Sequence, residues 1–233
     1  MTNFYEELYE RLYSRHRYHS SEELNSTHYL SFFNCCLNPS NIEYESVLDI
    51  GCSTGIGIKS FFEPLGKQCE GIDVSKTAID KAIKRGVSAQ VASITEIPFE
   101  DNSFDLVCST DVIEHLKPED QEKAHRECFR TSKKYVAHKI SNTPEGNKFA
   151  GKRLHLTCWT QPRWMEFFKS LNLENWKIIY TTTPEVWDEI KYEVYWMKEP
   201  PAFDNWNLHN TVVVFEKVKC CLLYTSPSPR DRQ

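Results

Sequence analysis

Residues 46–57, SVLDIGCSTGIG, constrain the fold more than any other stretch of this chain. A short apolar run (Val47, Leu48, Ile50) carries one acid, Asp49, and then breaks at Gly51, Gly55 and Gly57. Apolar runs of this length fit strands buried on both faces of a parallel sheet. The glycines permit a sharp turn and a close approach of ligand to backbone. A helical pattern resumes over 58–65, so the turn opens a helix whose first N–H groups point at whatever binds there. Strand, glycine turn and helix in this order form a nucleotide-binding corner.

Spacing narrows the ligand. A dinucleotide site carries G-x-G-x-x-G, whereas this turn runs Gly51-x-x-x-Gly55-x-Gly57. The acid two residues before Gly51 would repel a pyrophosphate and suit an amino group. Downstream, CEGIDVS (69–75) reads as a second strand ending in Asp73, with Ser75 opening a helix. An acid about 20 residues past the turn, at the end of the second strand, is placed to accept hydrogen bonds from ribose hydroxyls; taken alone, it also reads as a helix-capping acid. A third segment, 91–116, reads VASITEIPFEDNSFDLVCSTDVIEHL.

Together these segments carry a family resemblance. Residues 46–57 resemble motif I of class I S-adenosylmethionine (SAM)-dependent methyltransferases, usually close to D-x-G-C-G-x-G-x-G, with Ser53 where the family usually has glycine. The 91–116 segment resembles the third and fourth strands of the ubiquinone-biosynthesis-like small-molecule methyltransferases (type 11). Ile97-Pro98-Phe99, the run 101–107 (DNSFDLV) and Glu114-His115-Leu116 carry that likeness. The resemblance implies an α/β, Rossmann-like fold: a seven-stranded, mostly parallel sheet of order 3-2-1-4-5-7-6, its last strand antiparallel, with helices on both faces and N-terminal helices. It implies SAM as cofactor and S-adenosylhomocysteine as product. The implied cofactor contacts are Asp49, Gly51, Cys52, Ser53, Gly55, Asp73, Val74, Ser93, Ile94, Ser109 and Thr110. Ser93 stands where the family usually has an aspartate for the adenine amino group, and Ile94 would supply an N–H and an apolar wall.

Patterning along the chain fits one domain, 1–220. Helices are expected over 3–13 and over 20–37, the second opened by a capping box at Ser20-x-x-Glu23 and ended by Asn38-Pro39. Residues 1–40 thus read as an N-terminal helical cap. Strands near 46–50, 69–73, 88–91, 104–109 and 134–140 alternate with helices near 56–65, 75–84 and 118–131, as in a parallel sheet covered on both faces. A long polar loop over 141–158 precedes a helix over 160–171, capped by Thr160 with Pro162 in its first turn. Strands follow at 176–183 and 210–218. The aromatic-rich segment 184–209 between them reads as an insertion on the substrate side. Residues 221–231, CLLYTSPSPRD, back-translate to a transposase-end and adapter sequence of sequencing libraries, so 221–233 read as non-native read-through.

Composition excludes several classes. A net charge of −5 is a poor match for a phosphate backbone, so no nucleic-acid partner is expected. None of the nine cysteines forms a C-x-x-C pair, so neither a metal site nor a disulfide framework is expected. The polar N-terminus is no signal peptide and no apolar run spans a membrane, which points to a soluble, cytoplasmic protein. No feature sets an oligomeric state.

Methyl transfer from a sulfonium mainly needs alignment and exclusion of water. A hydroxyl acceptor also needs its proton removed by a nearby base. His155 follows the loop beyond the fifth strand, where open α/β sheets bind ligands, and is the first candidate. His115 is the second. The Asn/Asp-Pro-Pro-aromatic element of amino-methylating enzymes for adenine or glutamine is replaced by Ser109-Thr110-Asp111-Val112. A small-molecule or glycan hydroxyl is therefore the expected acceptor. N-methylation of a small amine and a non-catalytic SAM-binding regulatory module stay open as alternatives, and a polyamine-forming enzyme is a weaker one.

Overall fold

The apolar run 46–50 becomes the central strand. β1 (Ser46–Ile50) lies between β2 (Gln68–Asp73) and β4 (Phe104–Thr110) and is parallel to both. The chain is seen in a computed structural model that describes residues 4–14, 29–144, 148–149, 152–181 and 210–218. β3 (Ala89–Val91) extends the sheet beyond β2, and β5 (Ser132–Ser141) extends it beyond β4, both in parallel. β7 (Asn210–Lys217) then pairs antiparallel with β5, and β6 (Trp176–Thr181) antiparallel with β7. The order is 3-2-1-4-5-7-6, as the resemblance implies.

Alternation along β1 sends Leu48 and Ile50 to one face and Val47 to the other. On the first face they pack with Val107, Val136 and Ile140 against α5 (Gln121–Thr131) and α6 (Gln161–Ser170), through Cys128, Phe129, Trp164 and Phe168. On the second, Val47, Leu106, Ala137 and Val214 pack against helical residues 29–40 (α2), residues 56–65 (α3) and α4 (Lys76–Lys84). Every residue of β4 is buried, as expected of a strand covered on both faces. α1 (Phe4–Ser14) crosses to α4: Glu10 accepts hydrogen bonds from Ser75 Oγ, the Thr77 N–H and the Thr77 hydroxyl.

Local expectations differ from the structure in four places. Asn38-Pro39 does not end α2, which runs to Ser40 and stops at Asn41, a left-handed residue. A wide π-helical turn over Phe33–Leu37 precedes it, and Pro39 falls in a first turn where its missing N–H is not required. α3 is not a regular α-helix: it is π-helical over Ile58–Phe62 and 3-10 over Glu63–Leu65, where Pro64 sits. The polar loop after β5 contains a short antiparallel pair, 148–149 with 152–153. Thr160 stands at the start of α6, but its side chain makes no capping bond. The capping box at Ser20, the insertion 184–209 and the read-through 221–233 lie outside the described residues. Among the described residues, no helix is long and apolar enough to cross a membrane.

β2 needs one small residue where the glycine turn presses on it. A Cβ added to Gly71 would lie 2.6 Å from Cys52 Sγ and 2.9 Å from Cys52 Cβ. Gly71→Ala should therefore lower stability by about 1–3 kcal/mol, read as a lower denaturant midpoint. An unchanged midpoint would show that Cys52 does not lock the turn onto the sheet.

Candidate active site

Open parallel sheets bind ligands beyond the carboxyl ends of their strands. Here the ends of β1, β2 and β4 meet, with Ile50 paired to Ile72 on one side and Ser109 on the other. The Gly51 and Cys52 N–H groups both donate to Ile72 O, at 2.8 and 3.0 Å, folding the turn back over β2. Gly51 has φ +68°, and a Cβ there would lie 2.4 Å from Val112 Cγ2, so glycine is required twice over. Ser53 is also left-handed, φ 54°, which explains why the family usually has glycine at this position.

Asp73 joins two turns. Its Oδ2 accepts the Ser53 N–H at 3.0 Å and its Oδ1 accepts the Ser75 N–H at 2.9 Å. Burial pushes its carboxyl up to about 6, while the N–H groups of Ser75, Ser53 and Val74 pull it down. Asp49 is more deeply buried. Burial pushes it up to about 7, against the Tyr29 hydroxyl, which donates to Oδ2 at 2.7 Å, and the Asp73 charge adds to the rise. Asp49 Oδ1, Ser53 Oγ and Thr110 Oγ1 are buried with no hydrogen-bond partner. Buried polar atoms without a partner call for an explanation, and a ligand or water at the strand ends would supply one for these three.

Other expected contacts are distributed as follows. Ile94 is buried in the core and Val74 packs against it. The Ser93 hydroxyl bonds Thr95 Oγ1 at 2.8 Å and accepts the Thr95 N–H, so it shapes a local turn. The Ser109 hydroxyl is spent inside the sheet on His138 Nδ1, at 2.8 Å. Gly55 and Cys52 belong to the same turn as Gly51, closed by the Gly55 N–H on Cys52 O.

A second constellation lies past β4 and β5. The carbonyl of Glu114 accepts the N–H groups of both Leu156 and Thr157, and the Thr157 hydroxyl donates to Leu116 O. These bonds bring His155 against His115, edge to face with ring centroids 4.7 Å apart. Tyr9 of α1 stands edge-on to His115 at 5.7 Å. The Glu114 carboxyl is fully buried, accepts the Ser141 N–H at 3.1 Å, and is pushed well up by burial and by nearby Asp111. Lys139, itself buried, holds both oxygens of Asp111 at 2.6 and 2.7 Å. The site thus has an acidic, turn-bound end and an imidazole-lined end.

Residues 48–135, which supply both strand ends and the His115 turn, match the family model described as a methyltransferase domain. That stretch matches a methyltransferase domain. Two curated relatives are similar over parts of their length. Norajmaline N-methyltransferase of Rauvolfia serpentina is 32% identical over 44% of this chain and 37% of its own length. Phosphoethanolamine N-methyltransferase of Plasmodium falciparum is 25% identical over 64% of this chain and 60% of its own. The chain thus spans less than two thirds of either relative. Among solved structures, phosphoethanolamine N-methyltransferase 2 of Haemonchus contortus, in complex with S-adenosyl-L-methionine, superposes with a TM-score of 0.58 at 18% identity. That match covers 91% of this chain and 60% of the other, and it shows a shared fold.

The strand-end cleft involves residues that pattern reading passes over. Tyr29 and Glu10 come from helices whose spacing announces only packing, yet each places a polar group on the cleft's acids or their turn. Lys139 sits in an otherwise apolar strand, where a lone lysine was the available signal for a buried ion pair.

Ser53 stores strain in this domain. Ser53→Gly removes the left-handed penalty and a buried unpartnered hydroxyl, and should stabilise the protein by about 1 kcal/mol. A lower midpoint on chemical denaturation would refute that account. Asp49 sets a pH dependence. Because its folded value is raised, its contribution to stability is fully present below the ordinary carboxylate range and is lost as pH rises through about 7. Asp49→Asn should therefore melt higher than the parent at pH 8, with the gap narrowing as pH is lowered towards about 4. A gap that does not change with pH would show that Asp49 is ionised in the fold throughout.

Proposed function

We propose that this chain is a SAM-dependent methyltransferase that methylates a hydroxyl oxygen of a small molecule or glycan. The observation that carries the cofactor reading is the buried Asp49 carboxylate with its unpartnered Oδ1, set one turn from Asp73 at the ends of β1 and β2. SAM, when bound, supplies a sulfonium methyl. Asp49 would receive its amino group, Asp73 its ribose hydroxyls, and Ser93 and Ile94 would border adenine. The family model over 48–135 supports this assignment.

The protein's remaining task is to align the acceptor and take its proton. His155 donates from Nδ1 to Thr143 O at 2.6 Å, which leaves the lone pair of the neutral ring at Nε2. His115 is arranged the same way on Leu154 O, at 3.2 Å. His155 would act as the base and His115 would fix its orientation. A second reading, N-methylation of a small amine, draws support from the buried Glu114 carboxylate beside these rings and from the two curated relatives described above, which are N-methyltransferases by name, while other relatives are O-methyltransferases by name.

Calorimetry should show SAM binding by the parent and none by Asp73→Ala, with Asp73→Asn, which keeps the side chain's shape, intermediate. Equal binding by all three would remove Asp73 from the cofactor site. Release of S-adenosylhomocysteine should appear with members of a sugar and phenol panel and fall at least about tenfold in His155→Ala. Turnover confined to an amine panel would select the second reading. Binding without turnover on either panel would leave a SAM-binding module.

A further inference from the structure

Glu114, His115 and His155 each offer one ligand atom, and these atoms all lie within 4.8 Å of one another. Three features prepare the group for a cation. The first is tautomeric. A carbonyl oxygen only accepts, so the bonds to Leu154 O and Thr143 O make each imidazole donate from Nδ1 and present its lone pair at Nε2. Metal-binding histidines are commonly held this way, one nitrogen on a carbonyl and the other on the ion.

The second feature is the Glu114 carboxyl. It is fully buried; one oxygen accepts the Ser141 N–H, and Oε2 has no partner. A buried carboxylate with a spare oxygen is costly, and a bound cation offsets that cost directly. The ammonium of Lys139 chelates Asp111. The third is rigidity. Two backbone bonds from Leu156 and Thr157 to Glu114 O tie the segment bearing His155 to the turn bearing the other two ligands.

We propose that Glu114, through Oε2, and His115 and His155, through Nε2, bind one divalent ion of the zinc type. Two imidazoles and one carboxylate suit zinc or cobalt(II) better than magnesium or calcium, which take mostly oxygen ligands. With bonds of about 2.0–2.2 Å, tetrahedral ligand atoms sit roughly 3.4 Å apart, so the side chains would draw together on binding. Three protein ligands leave one position open to water or acceptor. The sequence reading looks for ligands at short spacing, whereas His155 joins the pair from a separate loop.

The chelator-treated full chain, without cofactor or acceptor, is dialysed against zinc or cobalt(II) and its metal content measured. About one ion per chain is expected, with a cobalt ligand-field spectrum free of thiolate charge transfer. His155→Ala, on a half-exposed segment, should weaken binding at least about tenfold and abolish that spectrum; His115→Gln should do the same. Glu114→Gln tests the carboxylate once circular dichroism shows it folded, and His155→Ala decides the matter if it is not. The proposal is overturned by no stoichiometric ion, by unchanged affinity in His155→Ala, or by thiolate charge transfer placing the ion on cysteines. A bound ion would take the His155 lone pair that the proposed function gives to the base, and that role would pass to the ion's open position. The readout uses neither SAM nor methyl transfer, so absence of the ion leaves the reading of His155 as base standing.

Discussion

The site depends on one carboxylate. Asp73 accepts the N–H of Ser53 from the first turn and of Ser75 from the second, so two strand–helix crossings are pinned to a single side chain. Each such bond to a charged acceptor is worth about 1.5–3 kcal/mol. Together they hold the glycine turn open over β2, with Gly71 small enough to let Cys52 lie on the sheet. The sheet order brings β1 and β4 together, so the imidazole-lined end forms within reach of this clasp.

Burial and charge act against each other across the cleft. Asp49 and Asp73 sit where desolvation favours the protonated form, and only hydrogen bonds restrain the rise. Unused hydrogen-bonding capacity at Asp49 Oδ1 and Glu114 Oε2 makes the two ends alike: each is a buried acid short of one partner. A positively charged ligand group at either end meets an environment prepared to stabilise it.

The positions of Asp49, Gly51 and Asp73 on the strands and in the turn between them are legible in the sequence, because apolar runs and glycine spacing point the same way. The sheet order is legible from the family likeness, and the strand positions follow from composition. Tyr29 is not, because a tyrosine on an apolar helix face says nothing of the acid its hydroxyl will find. The His115–His155 contact is hidden for a topological reason: it is made by backbone bonds from 156 and 157 to one carbonyl, and backbone groups leave no trace in residue identity. Pro39 misleads because a π-helical turn upstream shifts the register in which its absent N–H would matter. The partners of the Ser93 and Ser109 hydroxyls within the protein, Thr95 and His138, are not legible either.

α1 reaches the cleft by contacts distant in sequence: Glu10 to Ser75 and Thr77, and Tyr5, whose hydroxyl donates to Asp120 and accepts the Lys117 N–H. Its own residues are too few to hold a helix in isolation. In folding, it can dock only after β2, α4 and the β4–α5 turn have formed its receptor. Its anchors all lie far away in sequence, so its docking is a long-range event. The hold of this helix on the rest of the fold is thus a quantity of its own, which hydrogen exchange at its amides reports separately from the stability of the whole.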